Sequence, residues 1–432
     1  MLSDADRAHP RCTECAPAPQ DLPLSRMGAP TEHPPIWVMG LTNATFGMMN
    51  GFAVVTLPQM LAAEGVPGGH IAAITAIIIS PGFWAFLFSP MLDVRLRRRT
   101  YALAFCALAA VCAAFTVLHH RHVGDVEAVM ILGYLSAAFY QGAVGGWMGS
   151  LIRADEDSRL GTWFNVANVG SSGVIIMAGG PLILHATAMH GALFLFAAML
   201  APLILFPFIP APTPDRVLAT ESFGRFSRAV LALVRRRDVL IGLALFLLPS
   251  ASFSLTNVLG GIGNDYHASA ATVSLFAGAG SILAGIGGSF LVPRLARRIA
   301  LRPLYLGIGV IGALFTLGTL LLPRAPWTFG FVFTGEIIFQ ALAFTAAFGI
   351  AFQVIGPDNP LAATLFTLLV AAMNLPITYM GLLDGWGYDR GGLVGSFLTD
   401  AGLSMTACLL LALALRRWLF EPPVSAAAVT VE

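Results

Sequence analysis

Residues 83–101 read Phe83-Trp-Ala-Phe-Leu-Phe-Ser-Pro-Met-Leu-Asp-Val-Arg-Leu-Arg-Arg-Arg-Thr-Tyr101. An apolar run ends in Ser89-Pro90. One acid follows, Asp93, then Arg95, Arg97, Arg98 and Arg99, and a second apolar run starts at once. A water-soluble domain has little use for so abrupt a junction. A chain that crosses a bilayer uses it to hold a short loop on one side. The run before it carries no charge back to His70, which is long enough for a membrane helix.

The rest of the chain agrees with that reading. Of 432 residues, 57% are hydrophobic and 11% are charged, with a mean hydropathy of +0.78. A water-soluble domain carries about 25% charged residues, so most of this surface is expected to face lipid. A net charge of +1 gives no basis for a nucleic-acid partner. Cys12, Cys15, Cys106, Cys112 and Cys408 are too scattered for a disulfide framework. Cys12 and Cys15 form a lone CxxC with no second Cys or His pair beside it, and read as two free thiols.

A membrane helix needs about 20 apolar residues. That ruler marks twelve spans, near 36–60, 71–92, 101–119, 128–151, 160–184, 190–210, 239–260, 271–292, 303–322, 327–354, 361–383 and 393–415. With the N-terminus inside, the outer loops hold only Arg121, Arg324 and Arg390; the other 21 of the 24 basic residues, all arginine, are cytoplasmic. One missed span would scramble this alternation. The expected fold is therefore an all-α membrane protein with 12 transmembrane helices in two six-helix halves. Residues 1–34 read as a disordered cytoplasmic tail without an apolar signal segment. The first half covers 35–210, a cytoplasmic linker 211–238, the second half 239–416 and a cytoplasmic tail 417–432. In the linker, Glu221 to Asp238 reads as a surface helix ending in three arginines. The halves echo each other. Span 2 runs into the arginines after Asp93, and span 8 runs into Leu291-Val-Pro-Arg-Leu-Ala-Arg-Arg298. Pro58, Pro81, Pro249 and Pro376 mark expected kinks, and the clustered glycines of spans 5 and 8 mark close helix packing.

Polar groups inside a membrane are costly, so they are candidates for function. Glu336 in span 10 has Gln340 on the same helix face and no arginine within the spans to neutralise it. A buried carboxyl of that kind can bind and release a proton. Asp400 in span 12 is the second candidate for proton coupling. Asp384 and Asp389 are expected in water, flanking the last outer loop. Asn43, Asn50, Gln141, Asn165, Asn168, Asn257, Gln340 and Asn374 are candidates to line a site for a polar solute, with Tyr134, Tyr140 and Trp147 as aromatic neighbours. The competing role of such amides is hydrogen bonding between helices. His119-His120-Arg121-His122 reads as a solvated helix end, not a metal cluster. No Walker, HExxH or GxSxG sequence occurs, which gives no footing for ATP-driven or hydrolytic chemistry. No cofactor or metal is expected.

Twelve spans in two halves joined by a long inner loop resemble the major facilitator superfamily. That family carries a Gly-x-x-x-Asp-x-x-Gly-Arg-Arg/Lys gating signature between spans 2 and 3. Asp93 and Arg97, Arg98 and Arg99 stand in its acidic and basic places, while Ser89 and Leu96 stand near its glycines. Within it, Phe86-Leu-Phe-Ser-Pro-Met-Leu-Asp93 resembles the Phe-Leu-Trp-Ala/Ser-Pro-Leu-x-Asp phrase of AmpG-like muropeptide permeases and peptide–acetyl-CoA transporters. Gly51 to Val66, Ala363 to Val370, and Asn374 to Asp389 carry further similar patches. Two places differ. The lysine that usually precedes the phrase is Ala85, and Thr-Gln-Phe in span 11 is Thr364-Leu365-Phe366.

The resemblance implies a secondary active transporter, not an enzyme. It implies a monomer in a bacterial inner membrane with both termini cytoplasmic. Such a protein imports a polar organic solute, a muropeptide or a relative, with protons by alternating access. Siderophore permeases of the same superfamily are the alternative, and a non-transporting membrane protein or enzyme is more distant. The resemblance also implies that Asp93 faces the start of span 11, near Asn359 to Ala363, where an anion meets a positive helix end.

Overall fold

A bilayer offers the backbone no water, so each crossing must close its own hydrogen bonds as helix. The computed structural model describes residues 34–420, except 95, 122, 154, 180, 181, 183–186, 212–222, 260 and 358. The expected N-terminal tail, its two cysteines, Arg95, His122 and much of the linker lie outside the described residues. Among the described residues every regular element is helical.

Nine helices there are long and apolar enough to cross a membrane: Ile36–Ala63, Gly69–Leu87, Arg98–Leu118, Val123–Gly149, Ala188–Phe208, Ala271–Ala296, Leu301–Thr319, Pro326–Ile355 and Ala362–Leu415. The last has 54 residues and turns at Gly392 (φ 58°, ψ −148°), a conformation that a residue with a Cβ adopts only under strain. It is two antiparallel crossings, spans 11 and 12. Two more crossings complete the twelve. Span 5 runs from Asp157–Val174 through a π turn at Ile175–Gly179, and polar residues dilute its first half. Span 7 is the other, and it departs from expectation.

Span 7 is not one helix over 239–260. Arg237–Leu247 has 11 residues, about 16 Å, or roughly half a bilayer core. It stops where Pro249 would clash with the preceding turn. Leu248 is extended (ψ 151°) and Phe253 adopts a left-handed conformation (φ 48°). Short helices at Leu255–Val258 and Gly263–Tyr266 finish the crossing. A broken helix survives in a membrane only where other groups meet its freed carbonyls. Here the Tyr379 hydroxyl donates to Leu247 O (2.8 Å), the Cys408 thiol to Ser250 O (2.8 Å), and the Gln340 amide to Phe253 O (3.3 Å). The other prolines act more mildly. Pro58 follows a π-helical turn at Phe52–Thr56, Pro81 opens a new helical segment, and Pro376 sits inside a continuous helix. In the linker, a helix covers Phe223–Val234 and ends before the three arginines expected to close it, and span 7 starts separately at Arg237.

The two ends of the bundle carry different contacts. At one end Arg98 donates to the carbonyls of Asn359 and Pro360. At the other, His120 and Arg121 meet Glu64, and the Tyr388 hydroxyl donates to Asp265. The halves meet through small residues. A Cβ on Gly146 of span 4 would lie 2.4 Å from Ala363 N of span 11, and one on Gly161 of span 5 would lie 2.8 Å from Gly349 N of span 10.

In the second half, Arg302 at the start of span 9 pairs with Asp238 at the start of span 7 (3.0 Å), and both are buried. Removing one partner leaves an uncompensated buried charge. Asp238→Ala should therefore destabilise the protein by ~3–5 kcal/mol, read as a lower thermal midpoint in detergent. Adding Arg302→Met to that variant should recover most of the loss.

Candidate functional site

The residues singled out in the sequence fall into three places. The first is the junction between spans 2 and 3. Asp93 is fully buried and points across to the other half. Its Oδ1 accepts from Arg98 Nε (2.9 Å) and Ala363 N (3.2 Å). Its Oδ2 accepts from Thr364 N (2.8 Å) and Thr364 Oγ1 (2.7 Å). A carboxylate at a helix start satisfies backbone N–H groups that have no intrahelical partner, and it complements the helix dipole. Arg98, also buried, donates from Nη2 to Asn359 O and Pro360 O (both 2.9 Å). Arg97 is exposed and Arg99 half-exposed. Neither joins the contact with Asp93, so one arginine of the expected group does the clamping.

The second place is the break in span 7. It delivers Ser254 between spans 11 and 12. Ser254 Oγ hydrogen-bonds Asp384 Oδ2 and lies 3.2 Å from Asp400 Oδ1. Asp384 is not solvated, as its position near a loop had suggested. Span 11 continues as helix past it and turns it into the bundle, where it is fully buried; Asp389 is exposed as expected. Glu336 is buried too and accepts from Thr316 Oγ1 on span 9. Glu336 Oε2 and Asp384 Oδ1 have no hydrogen-bond partner. Among the described residues no arginine or histidine pairs with any of these three acids.

The Ser254 geometry carries chemical content. A serine hydroxyl has one hydrogen and can donate to one carboxylate. Its second contact is a hydrogen bond only if the other carboxyl holds a proton and donates to Oγ. Without cations, three ionised carboxylates in this space would repel one another and forgo hydration. The arrangement suits a proton held between Asp384 and Asp400 with Glu336 as a neighbour. Gln340, one turn from Glu336, donates to Thr256 Oγ1 (2.7 Å) and pins the break in place.

The third place is the seam between halves. A cavity of about 10 Å³, room for about one water, is lined by Phe46, Ala85 and Gln141 from the first half and by Phe366, Thr367 and Asn374 from the second. The eight amide candidates separate here. Gln141 Nε2 donates to Asn43 Oδ1 (3.2 Å), and Asn43 Nδ2 to Phe164 O (3.1 Å), so this pair ties spans 1, 4 and 5 together while Gln141 also borders the cavity. Asn165 is structural, donating to Ser289 Oγ (3.0 Å) and Thr345 Oγ1 (3.3 Å) across the halves. Gln340 is committed to span 7. Asn50 accepts from the Tyr134 hydroxyl (3.1 Å), and Asn374 donates to Val370 O (3.0 Å); both are half-buried. Asn168 is half-buried and Asn257 exposed, and among the described residues neither side-chain amide is hydrogen-bonded. Tyr140 and Trp147 are buried within the first half, donating to Thr42 O and Pro210 O, away from the seam. His120 is bound to Glu64, and among the described residues no three His, Cys, Asp or Glu side chains are placed to hold a metal ion.

Sequence reasoning missed Asp384 and Ser254. The signal for Ser254 was present as Pro249-Ser-Ala-Ser-Phe-Ser254, a proline followed by alternating serines inside an apolar run. That pattern disfavours a continuous helix and supplies hydroxyls to replace it.

Comparison with solved structures identifies the fold. The chain is similar to the proton:xylose symporter XylE bound to 6-bromo-6-deoxy-D-glucose, with TM-score 0.64 and 15% identity over 89% of this chain and 95% of that one. It is similar to the E. coli fucose:proton symporter FucP in the outward conformation, with TM-score 0.67 and 14% identity over 88% and 98%. It is also similar to the human organic anion transporter MFSD10, with TM-score 0.64 and 16% identity over 87% and 98%. No protein-family model matches the sequence, and none of the curated proteins does. The chain has the major facilitator fold and is an integral membrane protein.

Hydrogen bonds to a charged group contribute ~1.5–3 kcal/mol each. Asp93→Asn removes the charge that the start of span 11 and Arg98 share. In a background without the native cysteines, a cysteine at the buried Ala362 should then react with a maleimide at least about tenfold faster. An unchanged rate would show that Asp93 does not hold this end closed.

Proposed function

We propose that this protein is a proton-coupled secondary active transporter of a polar organic solute, working by alternating access. One observation carries the reading. Ser254 bridges two buried carboxyls, Asp384 and Asp400, beside Glu336 and without a cation, on a helix broken at that point. A site that only packed helices would satisfy these groups with apolar or paired neighbours, as the Asp238–Arg302 pair does. Deprotonation would place repelling charges between span 7 and the span 11–12 hairpin, and so couple proton release to movement of that segment.

The solute would lie at the seam, reached by Asn50, Gln141, Asn168, Asn257 and Asn374. Asp93 and Arg98 would latch the cytoplasmic end while the outer end admits solute. Both termini would be cytoplasmic in a bacterial inner membrane, with residues 35–210 and 239–416 rocking against each other about the linker. The similarity to XylE, described as a proton:xylose symporter, supports symport. The AmpG-like phrase supports a muropeptide or a related solute. Ala85 borders the seam cavity where those relatives carry lysine, which removes a cation from the binding region. A siderophore permease of the same superfamily is the alternative. A membrane enzyme would need reactive groups gathered at one membrane face. The acids found here are instead buried within one half.

Uptake into proteoliposomes under an imposed pH gradient tests the proposal. Glu336→Gln should abolish gradient-driven uptake and leave solute exchange at equal pH. The wild type should transport faster as the outer pH falls, because the carboxyls reload with protons from outside. An unaltered pH dependence in Glu336→Gln would remove Glu336 from the mechanism.

A further inference from the structure

Away from the seam, a groove opens on the lipid-facing side of spans 9 and 12. Leu306, Gly307 and Val310 form one wall, and Leu409 and Ala412 the other. Arg416 lies at its mouth, and the cavity measures about 360 Å³. Gly307 adds to the open space of the groove. A Cβ there would meet nothing within 4 Å, so the missing side chain leaves open space and makes no close helix contact. Arg416 is exposed, and among the described residues no carboxylate pairs with it. The acid at this end of the second half, Asp238, is already taken by Arg302. The groove therefore has an apolar body and one uncommitted guanidinium at its mouth.

We infer that this groove binds one anionic phospholipid from the leaflet at the arginine-rich end. Arg416 takes the phosphate through its paired N–H donors, and Arg417, next to it and also exposed, adds to the positive field. One acyl chain lies in the slot over Gly307 and Ala412. The lengths agree. From Arg416 back to Cys408, which also lines the groove, is about 12 Å of helix, against roughly 15 Å for one leaflet of the hydrocarbon core. A basic site between membrane helices at the level of the headgroups is the arrangement that selects anionic lipid. The groove backs onto span 12 where the Cys408 thiol donates to Ser250 O at the break in span 7. A bound chain would therefore brace the helix that supports the break.

The full chain is reconstituted in nanodiscs of phosphatidylcholine alone or mixed with phosphatidylglycerol. Retained lipid is then counted by native mass spectrometry, and the thermal midpoint is measured. The wild type should retain phosphatidylglycerol through delipidation and melt higher in its presence. Arg416→Gln and Gly307→Leu should each cut that retention by about tenfold, with phosphatidylcholine retention unchanged. Ala412→Leu, filling the opposite wall, should match Gly307→Leu. Equal retention of the two lipids by the wild type would overturn the inference. So would full phosphatidylglycerol retention in the filled variants. A chain ending at Phe420 that gains phosphatidylglycerol binding would show that residues 421–432 occupy the groove instead, which also overturns it. None of these outcomes depends on transport.

Discussion

The carboxylate of Asp93 meets the first turn of span 11, and the arrangement of the halves depends on that contact. Two backbone N–H groups, one hydroxyl and one guanidinium converge on two oxygens. The residues that supply them come from both halves and from opposite ends of the sequence. Burying a charge in a bilayer protein is costly unless it is paired and fully hydrogen-bonded. The pairing with Arg98 lies within the first half, but the three bonds from Ala363 and Thr364 hold only while the halves are together at this end. Gly146 and Gly161 allow the backbones to approach closely enough to complete the contact.

The other end of the second half is built on a different constraint. Lipid forbids a free backbone carbonyl, yet span 7 is broken. The structure meets the exposed carbonyls with Tyr379, Cys408 and Gln340, taken from spans 11, 12 and 10. This binds the break to the same helices that carry Asp384, Asp400 and Glu336. Backbone repair and acid cluster share one location, and Ser254 belongs to both. Asp265, Tyr266, Arg324 and Tyr388 are the titratable and charged neighbours toward the outer end. Tyr388 is hydrogen-bonded to Asp265, and none of the four bridges the carboxyls.

Much of this was legible from residue order. Arginine placement follows the membrane's own electrostatics, so it reported the crossings without knowledge of packing. Asp93 was readable because a helix start is a local feature and its partner segment was implied by resemblance. The burial of Glu336 was readable because it lies well inside an apolar run; the tie from Gln340 to span 7 was not. Asp384 was not, since its neighbourhood looks like a loop until Gly392 is seen to make the turn. The amides could not be sorted, because an asparagine that ties helices and one that awaits a ligand look alike in sequence. Asn165 bonds across the halves, whereas among the described residues no hydrogen bond is made by the side chain of Asn168, three residues on. Pro249 announced a kink, whereas the extent of the break depends on carbonyl partners from distant helices. The Gly307 groove was hidden because a glycine that packs and a glycine that leaves space are the same letter.

The central claim is that a proton shared across Ser254 moves with the solute. Solid-supported membrane electrophysiology measures that charge movement directly, by switching rapidly between buffers with and without candidate polar solutes. The account predicts a transient inward current for at least one solute with the wild type, growing as pH falls, and none with Asp384→Asn/Asp400→Asn. No current from any solute in a broad panel, or a current unchanged in the double variant, would contradict it.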